Sequence, residues 1–430
     1  ARLRSGRGFV WLARHLTPRQ QMEVLRLGLP GIGFRSEQRR VYPHASLTAH
    51  AVGYADLDAN GLGGVEQGLD AELRAFDEVV RLSLDVRVQH VLRRELALAM
   101  TEFSAVGAAG VVMDVATGEV VALTSLPDFD PNRMARSSSQ ARFNRATLGI
   151  YEPGSTLKIL TAAMALEYGA ATFDTTFDAT LPLRIDRHFI RDLHPENRWL
   201  TLPEIFVYSS NIGAARMAMQ VGAERQRAFL ARLGMLDRPN IEIGEAGAPL
   251  YPAQWGEIST MTVAYGHGIA VSQLQIAAAF ASVINGGTLV KPTFLAQEFV
   301  APGERVVSEK TSRSLRALLR LNVIRGTGKL AAAPGFLVGG KTGTAEKAVS
   351  GGYDRETLVS SFVAAFPMNA PRYAVLVMLD EPKGTTASSF QRTAAWNAAP
   401  IVGKLIPRIG PMLDVRPDLS RDIDISDLRP

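Results

Sequence analysis

The amino-acid sequence predicts an α+β fold in which one antiparallel sheet adjoins a mainly helical region. Two apolar segments, 109–114 and 119–125, flank Ala116-Thr-Gly118, which is typical of a β-hairpin. Three more strand-like segments follow one another near the carboxyl end, at 336–347, 358–368 and 373–379. Between 160 and 330 the apolar residues recur mainly with helical spacing. We therefore expect strands from both ends of the chain to join one sheet, with helices on its faces and an all-helical lobe beside it.

The first 78 residues are expected to form a separate, smaller module. Gly, Arg and Pro are frequent in it, and the segment 16–27, entered at Thr17-Pro18, is typical of a short helix. The module is too small and too rich in turns for an evident catalytic core, so a role as a pedestal or docking piece is favoured. A second domain is predicted from 79 to 412, and 413–430 are assigned to a carboxyl-terminal tail.

The elements of the second domain follow from its periodicity. Val79–Asp85 alternates like a strand, and a helix is predicted at 86–101 because its apolar residues fall on one stripe. A loop at 127–149 separates the hairpin from a helix that opens after Pro153-Gly154. The remaining helices are predicted at 200–218, 223–234, 272–285, 309–324 and 391–406.

Composition narrows the possible functions. The 430-residue chain has a formal net charge of +5, but its basic residues are dispersed, so nucleic-acid binding is not predicted. The absence of cysteine excludes disulfides, Cys-ligated metals and thiol catalysis. The longest apolar run, Ala374 to Leu379, is far too short to span a membrane. The opening residues, Ala1-Arg-Leu-Arg, look like the interior of a segment, and we expect an upstream part to be missing.

The first candidate site is the turn Tyr151-Glu-Pro-Gly-Ser155 and the helix that follows it. Ser155 and Lys158 are three residues apart and therefore share one helix face. The unpaired N–H groups at a helix N-terminus favour developing negative charge. A hydroxyl, an amine that can take its proton and an anion-stabilising backbone together suit a serine nucleophile. The alternative is structural, with Ser155 as an N-cap and Lys158 as a solvated helix lysine.

Two further polar clusters are candidates. Ser209 and Asn211 lie between two helical stretches and could both point into a cleft; alternatively they form a polar turn or an N-cap. Gly339-Gly-Lys341-Thr342-Gly343-Thr344 lies within a strand-like segment. Glycines there allow a ligand to approach closely, and a cation beside hydroxyls can receive a carboxylate or a phosphate. An edge strand whose Gly and Lys merely limit strand pairing would explain the same residues.

The third cluster also matches a nucleotide-binding pattern. The segment from Gly335 to Thr342 fits a P-loop, and Asp380-Glu381 resembles the strand-end acidic partner for magnesium. Gly343, however, follows at once where a long helix must begin. Only about fifty residues remain after Asp380 for the repeated strand–helix units of a doubly wound sheet. A P-loop NTPase is therefore kept as a remote alternative.

Together, the three clusters resemble a known superfamily. Ser-x-x-Lys at Ser155, Ser-x-Asn at Ser209 and Lys-Thr-Gly at Lys341, in this order, resemble the penicilloyl-serine transferases over roughly 79–410. The Glu-x-x-Leu-Asn loop of class A β-lactamases is absent, which argues against that class. No glycosyltransferase domain is present, which argues against a bifunctional class A penicillin-binding protein.

The N-terminal module narrows the resemblance. Arg40-Val-Tyr-Pro43 and Gly61-x-x-Gly-x-Glu66 are similar to the corresponding module of class B penicillin-binding proteins. Asn211 resembles the division-specific, septal enzymes, because elongation enzymes of Gram-negative bacteria commonly carry Asp there. An elongation-type class B transpeptidase, a D,D-carboxypeptidase and a β-lactam sensor remain alternatives.

The resemblance implies a penicillin-binding/β-lactamase-like transpeptidase domain on a pedestal module. It also implies a serine-type D-Ala-D-Ala transpeptidase that needs no cofactor or metal. The implied catalytic residues are Ser155 as nucleophile, Lys158 as base, Ser209 as proton relay, Asn211 as ligand of the substrate amide, and Lys341. Thr342, Gly343 and Thr344 are implied to bind the substrate carboxylate, and the backbone N–H groups of Ser155 and Thr344 are implied to form the oxyanion hole.

The resemblance also implies partners and a location. The expected partners are peptidoglycan stem peptides, a lipid-linked precursor polymer, β-lactam antibiotics, a septal membrane glycosyltransferase and other division proteins. The expected location is the periplasmic face of the bacterial inner membrane at the division septum, with the anchor helix outside this chain.

Overall fold

A five-stranded antiparallel sheet organises most of the chain in the computed structural model, which describes residues 8–75, 79–185, 188–301, 303–349 and 352–428. The α-helices of the described residues are α1 (Pro18–Arg26), α2 (Ala49–Val52), α3 (Gly64–Gly68), α4 (Asp70–Ala75), α5 (Val86–Glu102), α6 (Ser139–Arg142), α7 (Lys158–Glu167), α8 (Leu202–Tyr208), α9 (Asn211–Val221), α10 (Ala223–Arg232), α11 (Glu257–Val263), α12 (Gln273–Ile284), α13 (Glu309–Arg325) and α14 (Ala398–Ile409). The strands are β1 (Tyr54–Ala55), β2 (Gly61–Gly63), β3 (Gly107–Asp114), β4 (Val120–Leu126), β5 (Ile150–Tyr151), β6 (Thr176–Asp178), β7 (Leu183–Ile185), β8 (His188–Ile190), β9 (Trp199–Thr201), β10 (Val271–Ser272), β11 (Gly339–Val349), β12 (Gly352–Phe366) and β13 (Tyr373–Asp380).

The large sheet joins strands from distant parts of the chain. Its order is β11-β12-β13-β3-β4, so β13 lies between β12 and the much earlier strand β3. In this antiparallel register, Val375 of β13 is opposite Val112 of β3. The predicted α+β class and the predicted antiparallel sheet are therefore confirmed. β11 lies at one edge of the sheet, and an edge strand leaves one row of its backbone N–H and C=O groups without sheet partners.

Successive side chains of the central strands enter two different cores. Val111 and Met113 of β3 belong to the core on the α12 side, whereas Val112 belongs to the core formed with α5 and α14. This alternation follows from the two-residue period of a strand. Because helices cover both faces, β13 is buried along its whole length and its sequence is continuously apolar from Ala374 to Leu379.

Two helices of the helical region are buried almost all round. Every residue of α12 is buried, and α7 is buried from Lys158 to Ala165. A helix that is apolar on all sides belongs in a core rather than on a surface. The first turn of α7 is preceded by the 3-10 segment Gly154–Leu157, which packs against β11. The buried helix therefore presents its N-terminal end to the edge of the sheet.

Residues 8–75, the described part of the predicted N-terminal module, are attached to the rest of the chain by apolar contacts of Ala51 and Val65 and by polar contacts. Tyr42 N donates to Asn132 Oδ1 at 3.0 Å, and Asn132 Nδ2 donates to Tyr42 O at 2.9 Å. Gln89 of α5 is 1% exposed; its Nε2 donates to Leu47 O at 2.9 Å and to Leu123 O at 2.6 Å. Its Oε1 accepts from Leu123 N at 2.8 Å. One buried amide thus links the module, a helix and the sheet.

Two predicted elements differ from the structure at the start of the larger domain and in the helical region. The strand predicted at 79–85 is wrong, because only Leu82 forms a bridge there, with Leu295, and no continuous ladder develops around it. The helix predicted at 200–218 is interrupted at Ser209, whose φ of 59° is left-handed. The apolar spacing continues on both sides of this residue, so periodicity alone did not reveal the break.

The carboxyl end shows one more difference. The closing helix was predicted from 391 but begins at Ala398, where the side chain of Asn397 accepts from the first helical N–H. The residues after it pack back onto the domain: Arg320 pairs with Asp422 at 2.6 Å, and Leu428 is 3% exposed.

The predicted boundary between residues 78 and 79 adjoins residues 76–78, which lie outside the described residues. Within the part of the chain that the structure describes, we find no helix with the length and apolar character needed to cross a membrane.

We expect Gln89→Ala to lower the free energy of unfolding by about 1–3 kcal/mol, because it leaves buried backbone groups without partners. Equilibrium unfolding in urea measures this change. The matched control is Arg94→Ala, since Arg94 is exposed on the same helix; its effect should stay within about 0.5 kcal/mol. Equal stabilities of the two variants would show that the buried amide does not hold the module to the sheet.

Candidate active site

The first candidate residue, Ser155, lies in the 3-10 turn just before α7. The turn can approach β11 because residue 154 is glycine: its φ is +54°, and a Cβ there would lie 2.7 Å from Thr344 O. On its other side, Gly154 N donates to Gly266 O at 3.2 Å. Ser155 is thereby held at the N-terminal end of a buried helix and beside the edge strand.

Lys158 is buried next to this hydroxyl. Its Nζ donates to Ser155 Oγ at 3.0 Å, to Ser209 Oγ at 3.1 Å and to Asn211 Oδ1 at 2.7 Å, and it also contacts Ser209 O. Burial, reinforced by the positive charge of Lys341, holds the pKa of Lys158 well below its usual value, and the carboxylate of Asp192 opposes this shift. A neutral lysine amine at this distance can take the proton of Ser155.

Ser209 and Asn211 come from the break between α8 and α9. The left-handed backbone of Ser209 ends α8, and its hydroxyl receives hydrogen bonds from both Lys158 and Lys341. Asn211 begins α9; its Oδ1 faces Lys158, and its Nδ2 donates to Arg191 O at 3.0 Å. The helix break therefore brings a hydroxyl and an amide to the same amine.

Lys341 lies within β11 and is completely buried. Its Nζ donates to Ser209 Oγ at 2.9 Å and lies 5.9 Å from the ring centroid of Phe206. Desolvation by burial lowers the pKa of Lys341 to about 7. The amine of Lys341 is therefore only partly protonated near neutral pH, and an anion bound beside it would favour its charged form.

The three residues after Lys341 line the same edge. The hydroxyl of Thr342 is hydrogen-bonded to that of Thr327 at 2.7 Å, and Thr344 Oγ1 accepts from Ala394 N at 3.1 Å. Gly343 cannot carry a side chain, because a Cβ would lie 2.5 Å from Pro153 O. The lack of a side chain therefore lets the edge strand and the Ser155 turn come into contact.

The backbone N–H groups of Ser155 and Thr344 lie in two elements of a kind that carries unpaired donors. The N–H of Ser155 belongs to the opening turn of a helix, and that of Thr344 belongs to an edge strand. Both kinds of element carry N–H groups without partners inside the element. The close packing of Gly154 against Thr344 brings the two segments together.

Asp192 is a residue of the site that the sequence did not reveal. Its carboxylate accepts from Ser210 Oγ at 2.7 Å, from Ile212 N at 3.0 Å and from Asn211 N. A carboxylate at the N-terminus of α9 is stabilising because it meets unpaired N–H groups and the positive end of the helix dipole. No motif marks this contact, since Asp192 follows a separate small hairpin, β7–β8.

Glu152 was also missed as a site residue. Its Oε1 accepts from Gly268 N at 2.8 Å and from Tyr353 Oη at 2.9 Å, and its Oε2 lies 3.0 Å from His267 Nδ1. The ring of His267 stacks on Tyr353 with centroids 4.2 Å apart. One carboxylate just before the Ser155 turn therefore ties together a loop and the β11–β12 hairpin.

The remote P-loop interpretation is wrong. Lys341 and Thr342 lie inside β11 instead of opening a helix. Asp380 is engaged by Arg145 at 3.4 Å and by Lys347 at 2.9 Å, so it is not a free ligand for magnesium.

Comparison with known proteins agrees with this geometry. The family described as the penicillin-binding protein transpeptidase domain matches residues 108–405. The probable peptidoglycan D,D-transpeptidase FtsI of Caulobacter vibrioides is 40% identical over 416 residues, which cover 93% of this chain and 71% of that protein. The peptidoglycan D,D-transpeptidase FtsI of Escherichia coli K12 is 28% identical over 438 residues, covering 95% of this chain and 73% of that protein.

A solved structure is similar over most of its length. Penicillin-binding protein 3 of Mycobacterium tuberculosis, in complex with aztreonam, superposes with a TM-score of 0.79 at 27% identity, covering 88% of this chain and 92% of that chain. The family match and the relatives agree with the three clusters assembled around Ser155. The chain therefore belongs to the penicillin-binding protein transpeptidase family, as a class B member similar to FtsI and penicillin-binding protein 3.

Proposed function

We propose that this chain, a peptidoglycan D,D-transpeptidase, works through an acyl-enzyme on Ser155. The observation that carries this proposal is the 3.0 Å hydrogen bond between Ser155 Oγ and the buried Nζ of Lys158. The amine is close enough to take the hydroxyl proton, and its lowered pKa favours the neutral form that can do so. The transpeptidase relatives support a D-Ala-D-Ala stem peptide as the acyl donor.

In the acylation step, Ser155 Oγ attacks the carbonyl carbon of the penultimate D-Ala while its proton passes to Lys158. The negative charge that develops on the carbonyl oxygen is received by the backbone N–H groups of Ser155 and Thr344. Loss of such a donor typically costs about 3 kcal/mol of barrier. Collapse of the tetrahedral species breaks the peptide bond, and the leaving D-Ala amine takes a proton through Ser209, whose hydroxyl is 3.1 Å from Lys158 Nζ.

The terminal carboxylate of the donor is received by Lys341 together with the hydroxyls of Thr342 and Thr344. A carboxylate favours the protonated form of Lys341 and so opposes the effect of its burial. Asn211 holds the substrate amide beside the lysine pair. An amine from a neighbouring peptidoglycan strand then attacks the ester and forms the new peptide bond. Lys158, neutral again after the D-Ala amine has taken its proton, takes the proton of the attacking amine and returns it to Ser155 Oγ as the ester bond breaks.

β-Lactams are expected to acylate the same serine, as the aztreonam and ampicillin complexes of the similar structures suggest. The FtsI relatives and Asn211 support a role in septal cell-wall synthesis at the periplasmic face of the inner membrane. The proposed partners there are a lipid-linked precursor polymer, a septal glycosyltransferase and other division proteins. We also propose that residues 1–78 form a pedestal module, 79–412 the transpeptidase domain and 413–430 a tail.

Ser155→Ala should reduce labelling by a fluorescent penicillin to background, because it removes the only hydroxyl of the described residues that both meets Lys158 Nζ and lies in the turn that opens α7. The measurement is in-gel fluorescence, with the unfolding midpoint as a check on folding. Ser139→Ala is the control, since Ser139 is exposed, and it should label like the unchanged protein. Undiminished labelling of Ser155→Ala would remove this residue as the nucleophile.

The second-order acylation rate should be bell-shaped in pH. Lys158 acts unprotonated, so the rate is lost as pH falls through its lowered pKa. Lys341 binds the carboxylate when protonated, and its pKa is about 7, so the rate declines as pH rises above that value. Stopped-flow acylation by a penicillin from pH 5 to 10 measures both limbs.

Lys341→Arg identifies the alkaline limb, because a guanidinium stays charged throughout this range. We expect the decline near pH 7 to disappear in this variant and to persist in the control Lys310→Arg, whose lysine is exposed. An unchanged decline in Lys341→Arg would assign the alkaline limb to another group.

Asp192→Asn should slow acylation about tenfold, because Asn211 loses part of its anchorage and small displacements of catalytic groups are costly. The variant also removes a negative charge that raises the pKa of Lys158, so the acid limb should move to lower pH. Asp174→Asn, at an exposed aspartate, is the control and should change neither quantity. A slower rate with an unmoved acid limb would contradict the electrostatic effect of Asp192 on Lys158.

A further inference from the structure

A groove of about 840 Å³ lies between the N-terminal module and the larger domain, and none of the active-site residues lines it. One wall is the extended segment that contains Arg39 and Arg40. Another is the 3-10 segment Pro131–Arg136 of the larger domain, which contributes Arg133 and Arg136. The paired hydrogen bonds between Tyr42 and Asn132 hold these two walls side by side.

The charges in the groove are unbalanced. Arg40 pairs with Glu66 at 3.3 Å, and Arg133 is 3.6 Å from Asp130. Arg39 and Arg136 have no acidic partner among the residues that the structure describes. Several guanidinium groups around one concave surface repel one another and concentrate a positive potential there. An anionic occupant would relieve this repulsion.

Asp56 is the acidic residue among the described residues that line the groove, and its single charge does not neutralise the four arginines there. Asp56 accepts from Asp58 N at 2.8 Å, from Asn60 N at 2.9 Å and from Asn60 Nδ2 at 2.7 Å, so it is committed to its own turn. One carboxylate, which forms no ion pair with any of the four lining arginines, leaves the described lining of the groove with a net positive charge.

The remaining surface of the groove indicates the kind of anion. Leu57 and Leu62 line it and are 57% and 48% exposed, and Met134 and Tyr54 add further apolar area. The backbone of residues 38–41 makes no backbone–backbone hydrogen bond with the rest of the described chain. Guanidinium groups can pair with carboxylates, and the exposed aliphatic side chains beside them can pack against apolar side chains. A polypeptide that carries both kinds of side chain fits this surface. A free extended backbone offers hydrogen bonds to such a polypeptide as well.

We propose that this groove binds an acidic, partly apolar polypeptide segment of a partner protein. Because its walls come from both the N-terminal module and the larger domain, the bound segment contacts both and stabilises their arrangement. The carboxylates of the segment pair with Arg39 and Arg136, and its aliphatic side chains cover Leu57 and Leu62.

The probe is a fluorescein-labelled decapeptide of alternating Glu and Leu. The control peptide has the same sequence with Gln in place of Glu and therefore lacks the carboxylates. Fluorescence anisotropy measures the dissociation constant on the full chain. We expect the Gln peptide to bind at least about tenfold more weakly. The double variant Arg39→Glu with Arg136→Glu should likewise lose at least about tenfold.

The control is the double variant Arg227→Glu with Arg325→Glu, which changes the net charge equally at exposed positions outside the groove; it should stay within about twofold. Labelling of Ser155 by a fluorescent penicillin verifies folding, and Arg39→Gln with Arg136→Gln is measured in parallel as a milder pair. Equal losses in the groove pair and the control pair would overturn the proposal. Inorganic polyphosphate that binds as tightly as the Glu peptide, with the same sensitivity to the groove variants, would also overturn it, because a general polyanion site would then remain.

Discussion

Two buried lysine amines share one serine hydroxyl, and the chemistry of the site depends on this arrangement. Lys158 and Lys341 donate to Ser209 Oγ at 3.1 and 2.9 Å, so the two amines are at most about 6 Å apart. Two positive charges at that distance repel by about 3 kcal/mol at an effective dielectric constant of 20, and burial disfavours each charge further. The free site therefore disfavours two protonated amines. This one constraint favours a neutral Lys158 beside Ser155 and a Lys341 that becomes fully charged when a carboxylate binds.

The fold brings the two amines together through close backbone contact. Lys158 comes from a helix that is buried on nearly all sides, and Lys341 comes from the edge strand of the sheet. The two elements approach because Gly154 packs against Thr344 and Gly343 packs against Pro153, where a Cβ on either glycine would clash. The covered sheet and the buried α7 provide the rigidity that keeps a hydroxyl and an amine at hydrogen-bond distance.

The sheet and the three polar clusters could be predicted from the sequence because their signals are local. Apolar runs marked β3, β4 and β13, and short motifs marked Ser155, Ser209 and Lys341. The other parts depend on contacts between distant segments. Asp192 and Glu152 act through partners that no spacing connects to them, and the segment 79–85 alternates like a strand but finds only one bridging partner. Apolar residues continue with helical spacing on both sides of Ser209, so the polar residues Ser209 and Asn211, and not the periodicity, indicated the break there.

The protonation state of Lys158 tests the central claim most directly. The chain contains only 8 lysines, so selective ¹³C and ¹⁵N labelling of lysine gives few side-chain NMR signals, and Lys158→Arg identifies the one that belongs to this residue. We predict that the signal of Lys158 titrates well below 10.5, the usual pKa of the group, and that the acid limb of acylation follows the same titration. A pKa of Lys158 at or above its usual value would contradict the account, because the amine would then be charged and unable to take the proton of Ser155.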